Sequence, residues 1–226
     1  MPKESLKQQA YNIIKDKIIT CEYPPNMDIN EAFLLQDTGL SRTPIRDALS
    51  RLEQERLITI MAKKGVRISD VTINDINMIY ETRNLLEPYV IRRYGDKMDK
   101  QKLSNMRVLF EELFASEAAQ NAYTGTDLRY RNDVDDGFHQ YITQVSGNNY
   151  LIMSMNHINN QNSRLRSLTS IARSRLLVSH PEHIRIIDFL LQEKYEDAAM
   201  AMESHLSNFR EAAFRAIIEN GGWTIN

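Results

Sequence analysis

The sequence predicts a mainly α-helical chain: an N-terminal winged helix-turn-helix with a two-stranded wing, followed by an all-α antiparallel helical bundle. Three observations carry that prediction. Apolar residues recur at helical spacing along most of the chain, strand character is confined to about residues 57–68, and proline and glycine cut the first part into short elements.

From about Ser5 to Thr20, Ala10, Ile13, Ile14 and Ile18 recur at helical spacing. Pro24 and Pro25 then forbid continuation. A short helix is expected over roughly 30–37, ended by Gly39, which can take the left-handed conformation of a helix C-terminus. A third helix starts at Ser41-Arg42-Thr43-Pro44, where either hydroxyl can cap and proline is tolerated in the first turn. Ile45, Ala48, Leu49 and Leu52 give it one buried stripe. Leu57–Met61 is a β-branched run, Ala62-Lys63-Lys64-Gly65 a turn, and Val66–Ile68 a returning strand. Three helices and a hairpin make up a first domain over residues 1–70. The second domain, residues 71–226, is expected to hold helices at 73–95, 99–121, 127–146, 149–176, 182–193 and 195–219. Pro88 should kink the first of these, and Ser146-Gly147-Asn148 and Ser179-His180-Pro181 read as breaks.

Composition bounds the function classes. The 226 residues are 42% apolar and 26% charged, the balance of a soluble globular protein with a sizeable core. A single cysteine, Cys21, rules out an intrachain disulfide framework and fits a reducing cytoplasm. Met-Pro-Lys-Glu-Ser lacks the apolar run of a secretory signal, and nothing reaches the roughly 18 apolar residues of a membrane span, so a cytoplasmic location is expected. Net charge is −2, and residues 1–70 hold eleven Lys+Arg against ten Asp+Glu. A nucleic-acid surface must therefore come from a local cluster rather than from overall charge.

The second and third helices, with Gly39 between them, have the layout that places the third helix in a major groove. Ser41, Arg42, Thr43 and Arg46 lie at or near its N-terminal end, where exposed backbone N–H groups favour phosphate. Arginine can also pair bidentately with guanine. Lys63, Lys64 and Gly65 at the hairpin tip can reach a neighbouring groove or backbone, with glycine allowing close approach.

In the second domain, Asp135 and His139 are four residues apart and share a helix face beside Phe138 and Ile142. His183 runs into the inward face marked by Ile186, Ile187 and Leu190, and His205 lies with Ala198, Met202 and Phe209 on the last helix. Three histidines and a carboxylate can thus project inward from three helices. That donor set suits zinc, nickel, manganese or iron and does not choose among them. His157 and His180 read as satisfied core histidines.

These residues carry a family resemblance. Pro24-Pro25-Asn26-Met27-Asp28-Ile29, Gly39-Leu40-Ser41-Arg42-Thr43-Pro44-Ile45-Arg46-Asp47-Ala48-Leu49, Leu52-Glu53 and Leu57-Ile58 resemble the DNA-binding domain of the GntR family. The resemblance implies that Arg42 and Arg46 contact an operator and that Gly65 sits at the wing tip. Asn26 replaces the family's glycine, and Ala32 stands where some members carry a DNA-contacting arginine. Asp135-Asp136-Gly137-Phe138-His139, Ser146-Gly147-Asn148 and Arg83-Asn84-Leu85-Leu86-Glu87-Pro88 resemble the FCD effector domain of the FadR-like branch. That likeness implies a metal held by Asp135, His139, His183 and His205, and a homodimer on a two-fold operator.

A carboxylate-bearing metabolite could fill the metal's open positions. Arg83 is the first candidate to pair with it, unless it forms a helix-surface ion pair with Glu87; Arg164, Arg166, Arg173 and Arg175 are alternatives. The expected function is a metabolite-controlled transcription regulator, of repressor type, and not an enzyme. A metal-dependent hydrolase on the helical domain is the alternative, though no His-Glu-x-x-His motif supplies its general base. A protein-docking use of the winged helix is the third reading.

Overall fold

The first helix forms because Ser5 caps it, its hydroxyl accepting from the Gln8 amide, and because Ala10, Tyr11, Ile14 and Ile18 fall on one face. In the computed structural model, which describes residues 4–62, 64–119, 125–168 and 171–219, this helix is α1 (Leu6–Ile19). Asn30 caps α2 (Glu31–Thr38) through the Phe33 amide, and Gly39 ends it in the left-handed region at φ 67°. α3 (Arg42–Gln54) follows. Ser41 occupies its capping position but makes no side-chain capping bond, contrary to the expectation of a hydroxyl cap. Asn26 takes φ 65°, so asparagine supplies the unusual backbone angle that the glycine of the family turn would otherwise supply.

The wing has three strands, not two. β2 (Ile58–Met61) and β3 (Gly65–Ile68) form the expected antiparallel hairpin, with Ile58 opposite Ile68 and Met61 opposite Gly65. β1 (Asp28–Ile29) adds to the other edge of β3, giving the order β1-β3-β2. Pairing Ile29 with Val66 buries both beside Leu34 and Ile45 and satisfies backbone groups that a two-stranded wing would leave open. Across the same edge Arg67 grips Asp28 with two hydrogen bonds, at 2.6 and 2.8 Å.

Residues 1–71 and 72–226 form separate units. The second begins where Thr72 and Asp75 close a capping box on α4 (Ile73–Tyr94). α4 runs through Pro88 as one helix, with Pro88 buried. After a 3-10 turn at Gly95–Lys97 come α5 (Lys100–Ala119), α6 (Gly125–Val145), α7 (Asn149–Leu168), α8 (Ile171–Leu191) and α9 (Tyr195–Glu219). α4 packs on α9, α6 and α7, while α8 packs on α5 and α9.

Two boundaries differ from those predicted. The helix expected over 149–176 is divided between α7 and α8, because continuous apolar periodicity does not mark where a chain turns. The break expected at Ser179-His180-Pro181 is absent, and Pro181 lies inside α8. An interior proline costs about 3 kcal/mol. Here Ser179, His180 and His183 around it are all buried, and their packing offsets that cost.

Candidate metal centre and nucleic-acid interface

The centre of the helical domain is polar, which a bundle tolerates only when each buried group has a partner. Asp135 and His139 project from successive turns of α6, His183 from α8 and His205 from α9, and all four are buried. The donor atoms of the three histidines lie within 4.8 Å of one another. Nε2 of His183 is 3.3 Å from Nε2 of His139 and 3.3 Å from Oδ1 of Asp135. Two ligands of one tetrahedral ion with bonds of roughly 2.0–2.1 Å stand about 3.3 Å apart, so these separations suit a shared ion.

Which nitrogens face inward is set by carboxylates behind the rings. Glu87, on α4, faces Nδ1 of His139, and its other oxygen accepts from Nε of Arg83 at 2.7 Å. Burial alone would raise the Glu87 carboxyl, but Arg83 and His139 outweigh it and hold the group well below the usual range. An ionised Glu87 only accepts hydrogen bonds, so Nδ1 of His139 donates to it, and Nε2 is turned toward His183. Glu182 faces Nδ1 of His205 in the same way at 2.8 Å, with its second oxygen accepting from Nδ2 of Asn208 at 2.8 Å. Burial pushes His205 down, against the raising effect of Glu182, and pushes His183 further down, helped by His205. Neutral imidazoles oriented by carboxylates are what a metal site requires. Nδ1 of His183 is buried without a hydrogen-bond partner among the described residues, and the His183 ring is instead stacked on Phe110, centroids 4.5 Å apart.

Asp135 is held from behind by Arg166 of α7, which bridges it to Asp136. Burial would raise the Asp135 carboxyl, but Arg166 and the three histidines drive it far down. One oxygen is therefore engaged by Arg166 while the other faces His183. Arg83 does pair with Glu87, as the alternative reading held, but the pair is buried rather than on the helix surface. Its Nε is engaged, so a ligand would have to use the terminal nitrogens. His180 is buried one turn before His183, its ring beside Phe110. Glu182 escaped the sequence reading, and Arg166, read there as an alternative partner for a ligand carboxylate, is instead engaged by Asp135 and Asp136, because nothing in local spacing shows which helices cross there. Arg173 and Arg175 have side chains outside the described residues.

On the winged domain, Ser41, Arg42, Thr43 and Arg46 are exposed at the start of α3, while Pro44, Ile45, Ala48 and Leu49 beside them are buried. The arginine side chains are 73% and 69% exposed. Lys64 is exposed in the β2–β3 turn, and Lys63 lies outside the described residues. Gly65 takes φ 105°, and a Cβ there would stand 2.3 Å from the Ile29 carbonyl oxygen. Close packing against β1 thus accounts for this glycine without any ligand.

Residues 6–68 match the family described as bacterial regulatory proteins, gntR family, and residues 78–208 match the FCD domain. The HTH-type transcriptional regulator YdhC of Bacillus subtilis (strain 168) is 27% identical over 213 residues, covering 94% of this chain and 92% of that protein. The HTH-type transcriptional repressor GlaR of Escherichia coli (strain K12) is 26% identical over 205 residues, covering 87% and 90%. Among solved structures, the Zn2+-bound FCD domain of TM0439 superposes with a TM-score of 0.52 at 20% identity, covering 65% of this chain and 96% of that one.

Proposed function

The chain belongs to the GntR family of transcription regulators and carries an FCD domain, and from that premise we propose that it is a repressor whose operator affinity is set by a small carboxylate bound beside a metal in the helical domain. The observation that carries the DNA-binding half is the start of α3: Ser41, Arg42, Thr43 and Arg46 are exposed over a helix whose other face is buried. Arg42 and Arg46 read base edges; Ser41, Thr43 and backbone N–H groups at the helix start hold phosphate; Lys63 and Lys64 on the wing add phosphate contacts.

Asp135, His139, His183 and His205 hold the divalent ion, of zinc, nickel, manganese or iron type. The TM0439 FCD domain solved with Zn2+ supports a metal in this chain without fixing which one. When bound, the ion would supply positive charge and, by expanding its shell beyond the four protein ligands, a place for a carboxylate oxygen. Arg83 orients Glu87 and presents its terminal nitrogens to the same ligand, while Arg166 engages one Asp135 oxygen and leaves the other to serve as a donor. Four helices meet at the centre through Glu87, the α6 pair, His183 and His205, so a ligand that completes it shifts their packing. Two copies of the chain on a two-fold operator transmit that shift as a change in half-site spacing. Among the described residues no helix is long and apolar enough to cross a membrane.

A hydrolase would need a free general base beside the open position. Glu87 and Glu182, the carboxylates behind the histidine rings, both face Nδ1 atoms, and the family consists of DNA-binding regulators. The test is selection of bound duplexes from a random pool by the full chain, repeated with metal removed and with a panel of small carboxylates. An enriched two-fold sequence whose affinity changes with one carboxylate, only when metal is present, is expected. Enrichment of no sequence refutes the DNA half, and indifference to every carboxylate and to metal refutes the control.

A further inference from the structure

Glu31 opens α2 directly after the capping Asn30 and faces the start of α3. Its Oε2 accepts a hydrogen bond from a terminal nitrogen of Arg46 at 3.2 Å, and its Oε1 lies 3.8 Å from Nε of Arg42. The two arginines are four residues apart on one helix face, so a single carboxylate bridges both. Oε1 is buried and, among the described residues, accepts no hydrogen bond, so it can take one when Arg42 closes by a few tenths of an ångström.

Exposed ion pairs contribute little to folding, because water screens them. That changes when a duplex covers the surface. Water is displaced, the local dielectric falls, and the pairing strengthens. A guanidinium whose plane is fixed before contact also loses less freedom on docking than one that samples many rotamers. The same negative charge opposes any approach of phosphate.

We propose that Glu31 is a specificity-determining positioning residue: it aims the guanidinium groups of Arg42 and Arg46 at base edges and lowers their affinity for the phosphate backbone. The inference rests on the reading of α3 as the base-reading helix. It has two consequences of opposite sign. Removing the carboxylate takes a negative charge from the DNA surface, so any duplex binds as well or better. It also releases the arginines to pair with whichever phosphate lies nearest, so the preference for the selected sequence falls.

The experiment measures the affinity of the full-length protein for two probes, the duplex enriched from the random pool and a scrambled duplex of equal length and composition. Wild type, Glu31→Ala, Glu31→Gln and Arg46→Ala are compared at several salt concentrations. Glu31→Ala is expected to hold or raise affinity for the scrambled duplex. Its preference for the enriched duplex should fall at least about fivefold, the lower end of what one bidentate arginine–guanine pair discriminates. Glu31→Gln keeps an oxygen acceptor without the charge and should recover part of the preference; it also serves if Glu31→Ala fails to fold. An unchanged preference overturns the proposal, and so does an equal fall in both affinities, which marks a structural role. A wild type without sequence preference overturns the underlying reading instead. A loss of preference in Arg46→Ala but in neither Glu31 variant overturns this inference alone.

Discussion

Glu87 and His139 lie on different helices, α4 and α6, and form a buried pair in which the carboxylate fixes the imidazole and Arg83 fixes the carboxylate. The Arg-x-x-Leu-Glu-Pro motif thereby acquires a physical reason. Its glutamate fixes the ring orientation of a candidate ligand, and its arginine keeps that glutamate ionised. Removing such a partner behind a ligating histidine typically costs 10–100-fold in metal affinity. Glu87→Ala should therefore weaken zinc binding by about that factor, measured by competition with a chromophoric chelator. It should also destabilise the metal-free domain by about 3–5 kcal/mol, since Arg83 is left buried without its counter-charge. Glu87→Gln, whose amide oxygen can still accept from Nδ1, should lose less metal affinity. Unchanged affinity in both variants would show that His139 needs no support.

Metal removal tests the cluster as a whole. An ion that binds only the folded state stabilises it by about 2.7 kcal/mol when present at a hundred times its dissociation constant. Chelation should lower the melting temperature of residues 72–226 and leave the winged domain's transition in place. His205→Ala should abolish the difference between chelated and metal-loaded protein. Protein that purifies without metal, takes up no zinc, nickel or manganese and melts unchanged would return Asp135, His139, His183 and His205 to a purely structural role.

Lys64 carries no geometry for base reading, so its replacement should act on phosphate alone. Lys64→Ala is expected to reduce the slope of log affinity against log salt by about 0.9 with the preferred sequence unaltered. A changed preference at constant slope would assign it to a base instead.

Gly65→Ala should destabilise the winged domain. Its φ of 105° is strained for any residue with a Cβ, and the new atom would meet the Ile29 carbonyl oxygen at 2.3 Å. The expected cost is at least about 1–3 kcal/mol, read as a lower first melting transition. If DNA affinity falls with no change in that transition, Gly65 is needed by the duplex rather than by β1.

What the sequence discloses about this molecule follows from how local each feature is. The start of α3 was legible because Gly39, Pro44 and the Ile45–Leu52 stripe act within a few residues. β1 was not, since a two-residue strand has no periodicity and exists only through its pairing with Arg67 and Val66. Histidine positions on inward faces suggested the centre, and the family motifs assembled it. The carboxylate Glu182 and the Arg166 clamp depend on helix crossings that spacing does not encode. Pro181 misled for the complementary reason: a strong local breaker was overruled by burial of its neighbours in α8.

The pH dependence of the metal-free protein follows from the direction of the shifts. His183 and His205 are held below the ordinary value of 6.5, chiefly by burial. In the unfolded chain they protonate as pH falls through about 6.5, whereas in the folded chain they stay neutral to lower pH. The unfolded state then binds more protons, so stability is fully present above that value and declines below it, by up to about 1.4 kcal/mol per pH unit for each proton. Asp135 and Glu87 are also shifted down, so their contribution is lost in the same direction, but only as pH falls below about 4. The melting temperature of chelated protein should therefore hold from pH 8 to 7 and drop steadily from 6.5 to 5. His205→Ala should make that drop shallower. A melting temperature that is flat or rises between pH 6.5 and 5 would mean that these imidazoles are charged in the folded protein, and the neutral donor set required for a metal would not exist.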